Sequence, residues 1–297
     1  MPTNIGFLGL GAIGTPMARH LAIPDFALAV WNRTSARSTA FAAAHPARAA
    51  STPADAARGA QVVITCLPTS REVEALLDGP DGLMAGLARD TLFIDCTSGD
   101  PATSKRIAAR LAEQGVAFLD APVSGGVAGA EKGALTIMVG GDAAHLERAM
   151  PVLRAMGEKI VHCGAVGAGD ALKAVNNALL AVHIWSAAEG LLALSKAGVK
   201  PEVALDVINA SSGRSNSSMN LFPERVLTRA FPRTFRLALL DKDVGIAAQV
   251  ARDQKVPSPL IQLTAELFRA AHVALGEQAD HVEAVKYLET MAGEEIK

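Results

Sequence analysis

NIGFLGLGAIGTPMARHL, residues 4–21, passes from an apolar run through Gly9, Gly11 and Gly14 into residues that favour a helix. A strand-to-helix turn alone needs one glycine. Three at the spacing G-x-G-x-x-G, after a strand and opening a helix, have separate tasks. Gly9 permits the tight turn, Gly11 lets the backbone come close to a pyrophosphate, and Gly14 lets helix and strand pack together. Leu10, Ala12 and Ile13 complete the loop, and the N–H groups and dipole of the new helix receive the phosphate charge. The stretch therefore predicts a dinucleotide-binding strand–turn–helix.

The rest of the first half continues the alternation. Strand-like runs at 27–32, 61–67, 91–96, 116–121, 135–141 and 159–163 are separated by alanine-rich amphipathic stretches such as 100–115 and 142–157. Such alternation implies right-handed crossovers and a mostly parallel, doubly wound Rossmann sheet, an α/β fold. Beyond Gly169 the pattern becomes helical. Residues 170–198 read as one long helix, apolar on most sides and so expected to be buried, ending at Gly198 with Pro201 just beyond. Further helices are expected over 201–209, 236–254 and 258–275. The expected division is a Rossmann domain over 1–164 and an all-helical substrate and oligomerisation domain over 165–297.

Lys plus Arg (28) nearly balances Asp plus Glu (30) in 297 residues, a net charge of -2. No large positive field is available to hold nucleic acid or an anionic membrane surface. Half-apolar composition, at 50%, suits a globular chain. Cys66, Cys96 and Cys163 have no CxxC spacing and read as reduced, mostly buried thiols. The histidines do not fall at metal-ligand spacing, so no metal is expected. No signal peptide and no unbroken apolar run of transmembrane length is read, which gives a cytoplasmic expectation.

The end of the second strand bears on the dinucleotide. A carboxylate there would accept from the ribose 2′-OH of NAD, but this chain has Asn32, Arg33 and Thr34. Arg33 can pair with a 2′-phosphate, and Asn32 and Thr34 can donate hydrogen bonds, so NADP is expected over NAD, with NAD possible. DAPVSGG (120–126) ends in Ser124, Gly125 and Gly126, which can turn N–H groups and a hydroxyl toward a carboxylate, though a plain turn would use the same residues. Lys173 and Asn177 stand at i and i+4 on the long helix. The lysine either snorkels to the surface or, facing a cleft, protonates a developing alkoxide. Lys242 and Asp243 open another helical run and could be plain surface charge.

Taken in order, the glycine loop, DCTSGDP (95–101), DAPVSGG, GAGDALKAVNN (167–177) and the Lys242-Asp243 pair resemble the β-hydroxyacid dehydrogenase family over essentially the whole chain. That family includes 3-hydroxyisobutyrate dehydrogenases and tartronate semialdehyde (2-hydroxy-3-oxopropionate) reductases. The resemblance implies an NAD(P)-dependent oxidoreductase of small 3-hydroxy acids and their semialdehydes, with a cleft between its two domains. It casts Lys173 as acid/base, Asn177 as substrate orienter, and Ser124, Gly125 and Gly126 as carboxylate holders. Thr97 would flank the nicotinamide ribose, Leu67 and Pro68 would line the cofactor groove, and Lys242, supported by Asp243, would close over the nicotinamide end. A homodimer or homotetramer is implied as well.

Two departures stand out. Ile13 occupies a loop position where the family usually has Met or Gln, and SSGRSNSSMN (211–220) follows the family only as far as Arg214. If that second segment reaches the cleft, its hydroxyls and Arg214 would recognise a further polar group on the substrate. An imine reductase shares the fold but usually lacks the lysine at position 173. A non-catalytic dinucleotide-binding protein would have let Lys173 or Asn177 erode.

Overall fold

The apolar runs of the first half become strands because the sheet buries them on both faces, as parallel sheets do. Every residue of VVIT (Val62–Thr65) and of LFID (Leu92–Asp95) is buried. In this computed structural model, which describes residues 1–297, the strands are β1 (Thr3–Leu8), β2 (Phe26–Trp31), β3 (Arg48–Ala49), β4 (Val62–Thr65), β5 (Leu92–Asp95), β6 (Ala117–Asp120), β7 (Val123–Ser124), β8 (Leu135–Gly140) and β9 (Gly157–Gly164). The helices between them are α1 (Gly14–Leu21), α2 (Ser35–Ala44), α3 (Pro53–Ala57), α4 (Ser70–Ala75), α5 (Leu83–Gly86), α6 (Pro101–Glu113), α7 (Gly126–Lys132) and α8 (Ala143–Met156).

The sheet runs β3-β2-β1-β4-β5-β6-β8-β7, with β9 on β8. Neighbours from β3 to β6 are parallel, while β8 turns antiparallel to β6 and to β7. The chain winds outward from β1 through β2 to β3, then returns to β4 on the other side of β1. That reversal opens a crevice beyond the carboxyl ends of β1 and β4, where α/β sheets bind ligands. The two-residue strands β3 and β7 escape sequence reading because nothing in so short a run is periodic.

The second half is helical: α9 (Ala168–Lys196), α10 (Pro201–Asn209), α11 (Leu237–Asp253), α12 (Pro259–Leu275) and α13 (Ala284–Ala292). Its core joins Ala178, Ile184, Trp185 and Leu192 of α9 to Phe222, Leu240, Phe268 and Val285. Burial of α9 is one-sided: Leu179 is 48% exposed, and His183, Ser186, Gly190 and Ala193 continue an exposed stripe along it. The expectation of a helix buried all round is corrected to that extent.

Residues Ser217–Val226 form a π-helix that no propensity announced. It takes in the end of the serine-rich segment: Ser217 and Ser218 are buried, and the Ser218 hydroxyl donates to its own turn at the Ser215 carbonyl. Arg214 stays exposed.

The chain parts into two compact units, Met1–Lys173 and Ala174–Lys297. The last strand ends at Gly164, and the opening turn of α9 belongs with the unit that holds the sheet. Asp120 at the end of β6 accepts hydrogen bonds from the amides of Gly167 and Asp170 at 2.7 and 3.0 Å.

Candidate active site

The glycine loop lies at the crevice because its shape leaves no alternative. A Cβ on Gly9, at φ +108, would lie 2.2 Å from the Cys66 carbonyl oxygen, and one on Gly14 would lie 1.9 Å from the Gly9 oxygen. Helix α1 can therefore approach β1, and β1 the end of β4, only as glycine. Gly11 differs, since a Cβ there meets nothing within 4 Å. The amides of Gly11, Ala12 and Ile13 donate to no acceptor in the chain, and Ile13 begins α1 without a side-chain cap. Open space over a glycine, beside unused donors at a helix N-terminus, fits a dinucleotide pyrophosphate. A groove of about 700 Å³ runs along this loop, lined by Leu10, Gly11, Thr15, Arg19, Arg37 and Phe41 among others. Ile13 itself packs against the core beneath.

At the end of β2 the side chains divide their work. Asn32 is a strut: its Oδ1 accepts from the Leu10 amide at 3.0 Å and its Nδ2 donates to the Thr34 carbonyl at 3.1 Å. It ties the glycine loop to the acceptor loop, a positioning task that sequence reading did not foresee. Arg33 and Thr34 are exposed, and the Thr34 hydroxyl does not cap α2. Arg37, on the first turn of α2, donates from Nη1 to the Leu10 carbonyl at 3.1 Å and brings a second guanidinium to the same loop. A basic residue three positions past Thr34 was the available signal for it.

The loops after β4 and β5 are fastened together. Thr97 is buried, and its hydroxyl accepts from the Leu67 amide at 3.1 Å. Pro68 beside it is exposed. Asp95, buried at the end of β5, accepts from the Thr65 hydroxyl at 2.8 Å and the Thr97 amide at 3.0 Å, both on Oδ1. Burial pushes its carboxyl up to about 6, against hydrogen bonds from Thr97 and Thr65 that pull the other way. Cys66 next to it is pushed up to about 12 by burial and then by the charge of Asp95, so it is no nucleophile at neutral pH.

An aspartate titrates near 3.9 when unfolded, so the folded chain holds the Asp95 proton more tightly. Its contribution to stability is greatest in acid and is lost as pH rises through about 6, a change of about 3 kcal/mol. Asp95→Asn keeps the Oδ1 acceptor. Its unfolding free energy relative to wild type is expected to rise by about 2 kcal/mol between about pH 4 and about pH 7. Denaturant titrations in which the two chains keep a constant difference would refute this.

Ser124 closes β7 opposite Thr136 of β8. Gly125 and Gly126 follow at φ +132 and +63, both exposed, a backbone that other residues adopt only under strain. A Cβ on Gly126 would meet nothing within 4 Å. Lys173 is only 9% exposed and Asn177 only 4%, one turn apart on the same face of α9. In the helical unit, Asn177 Nδ2 donates to Asp243 Oδ2 at 2.6 Å, and Lys242 Nζ lies 3.0 Å from Asp243 Oδ1. The buried Asp243 thus holds both Asn177, which the resemblance casts as substrate orienter, and Lys242, which it casts as closing over the nicotinamide end. Lys242 is half-buried rather than surface charge.

Residues 4–164 match the family described as the NAD binding domain of 6-phosphogluconate dehydrogenase, and residues 167–288 the one described as NAD-binding of NADP-dependent 3-hydroxyisobutyrate dehydrogenase. The chain is 36% identical to 2-(hydroxymethyl)glutarate dehydrogenase of Eubacterium barkeri over 98% of its length and 96% of that protein's. It is 38% identical to NAD-dependent L-serine dehydrogenase of Pseudomonas aeruginosa, covering 90% of this chain and 91% of the relative. The structure of Mycobacterium tuberculosis 3-hydroxyisobutyrate dehydrogenase with L-serine superposes with a TM-score of 0.88 at 33% identity, over 97% of this chain and 99% of that one. An imine reductase from Pseudomonas sp. shares the fold alone, at 18% identity and a TM-score of 0.61. A glycine loop shaped for a dinucleotide, a fold matched end to end and relatives that are dehydrogenases converge: the chain belongs to the β-hydroxyacid dehydrogenase family of NAD(P)-dependent oxidoreductases.

Proposed function

We propose that this enzyme interconverts a small 3-hydroxy carboxylate and its semialdehyde, with Lys173 as the acid/base. The compounds named for the relatives, 2-(hydroxymethyl)glutarate, L-serine and 3-hydroxyisobutyrate, share a primary alcohol one carbon removed from the carbon that bears a carboxylate. The observation that carries the reading is a mostly buried lysine on the first turns of α9, in the same unit as the Ser124-Gly125-Gly126 loop. Ser124 and the glycine amides hold the carboxylate, while Asn177, held by Asp243, follows Lys173 by one turn on the same face of α9.

Bound NAD(P)H supplies the hydride for reduction and NAD(P)+ accepts it in oxidation. Lys173 gives its proton to the carbonyl oxygen as that oxygen gains charge, and takes it back from the hydroxyl in the reverse direction. Holding the carboxylate fixes the distance from the reacting carbon, which converts an encounter into an intramolecular step. Consumption of NADPH with a panel of semialdehydes, for wild type and Lys173→Ala, tests the reading. Turnover on none of them would favour a dinucleotide-binding protein without catalysis.

Arg33, Thr34 and Arg37 favour NADP. The second family description, which names an NADP-dependent enzyme, supports this, while the serine relative is NAD-dependent. Arg33→Asp removes a cation and puts a carboxylate where the 2′-phosphate would come. It is expected to weaken NADPH at least tenfold relative to NADH, about 1.4 kcal/mol or more. An unchanged ratio of the two dissociation constants would overturn the assignment.

The exposed stripe on α9, from Leu179 to Ala193, supports a homodimer or homotetramer that covers it. A single-chain mass by light scattering would remove that reading. The cysteines, without disulfide spacing, suit the reducing cytoplasm.

A further inference from the structure

We propose that Asp120 is the positioning residue for Lys173, anchoring the helix that carries the proton donor to the strand that leads into the carboxylate loop. The proposal rests on the reading of Lys173 as acid/base. Asp120 is fully buried, the last residue of β6, and paired with Gly140 of β8. Its Oδ1 accepts from the Gly167 amide at 2.7 Å and its Oδ2 from the Asp170 amide at 3.0 Å. These are N-terminal donors of a helix 29 residues long, and α9 has no other route to satisfy them within its own turn.

Placing a carboxylate in the interior costs several kcal/mol, and two hydrogen bonds at the positive end of a helix dipole offset part of that cost. Burial and those bonds oppose each other in setting its titration, with burial the stronger, so the carboxyl is held above its ordinary range. A second staple completes the turn: Asp170 accepts from the Gly99 amide at 2.9 Å and the Ser104 hydroxyl at 2.6 Å. Gly169 lies between them with no room to spare. A Cβ there would sit 2.3 Å from the Met138 carbonyl oxygen and 2.9 Å from Asp120 Oδ2.

Lys173 follows Asp170 by about one helical turn. Ser124 follows Asp120 by four residues, through β7. One side chain therefore sets the register between the ammonium and the loop proposed to hold the substrate carboxylate. Misplacement by about 1 Å is enough to cost a hundredfold in rate. An ordinary structural aspartate would lower stability and cofactor binding along with activity. A positioning residue acts on the chemical step alone, and only through the group it positions.

The test is a double-mutant cycle on the full chain with Asp120→Asn, Lys173→Ala and both together. Asp120→Asn should lower kcat about ten- to a hundredfold, with the NADPH dissociation constant within about twofold of wild type. On the Lys173→Ala background the same change should move kcat less than about twofold, because no positioned amine remains to be misplaced. Wild-type kcat in Asp120→Asn, or an equal fold-loss on both backgrounds, overturns the proposal while leaving Lys173 as acid/base. Wild-type kcat in Lys173→Ala defeats the underlying reading and the proposal with it. Should Asp120→Asn not fold, Gly169→Ala forces the same turn away from Met138 and Asp120 and is read by the same three measurements.

Discussion

Lys173→Ala is expected to lower kcat for semialdehyde reduction about a thousandfold, within the range that a single positioned general acid contributes. That loss corresponds to about 4 kcal/mol of transition-state stabilisation. The side chain is mostly buried on a helix whose core neighbours Ala174 and Ala178 are packed without it, and alanine has the best helix propensity. The fold and NADPH binding should therefore survive. KM should change little, since the proton is given only as the oxygen gains charge, and an interaction made only in the transition state is lost from kcat and kcat/KM together. Steady-state rates that match wild type would take Lys173 out of the reaction.

The second large effect separates what the fold needs from what the ligand needs. Gly11→Val should leave thermal stability close to wild type and raise the NADPH dissociation constant about a hundredfold, roughly 2.7 kcal/mol. No atom lies within 4 Å of a Cβ at Gly11, and its φ is outside the left-handed region, so a side chain there starts in open space and without backbone strain. What valine would fill is the space in front of the unused loop amides, where the pyrophosphate is expected. Gly14→Ala behaves oppositely, because its Cβ collides with the Gly9 oxygen and forces α1 away from β1. Its first loss is in Tm. Calorimetry and fluorescence titration of the two variants decide the matter, and full NADPH affinity in Gly11→Val would place the phosphates elsewhere.

Much of this was legible because it is local. The G-x-G-x-x-G loop, the run of short apolar strands and the helices at 201–209, 236–254 and 258–275 follow from periodicity and from glycine or proline at their ends. The observed Pro201–Asn209, Leu237–Asp253 and Pro259–Leu275 differ from those by a residue or so. The π-helix at Ser217–Val226 was not legible, because its Ser215–Ser218 hydrogen bonds look, in sequence, like any polar loop. Asn32 was read as a ligand donor, and only the meeting of two loops shows it bridging Leu10 and Thr34.

By itself, the order of residues determined the fold class, the dinucleotide loop and the family, since each depends on spacing along the chain and on which positions can do without a side chain. The tertiary structure alone decided which carboxylates matter. Asp95, Asp120 and Asp170 look like ordinary polar residues at strand and helix ends, and they gain their roles only once folding removes water from them. Deprived of solvent, each must find donors: Asp120 and Asp170 find backbone amides of distant segments, and Asp95 finds the hydroxyl of Thr65 on the neighbouring strand. A chain written in one dimension does not disclose which those will be.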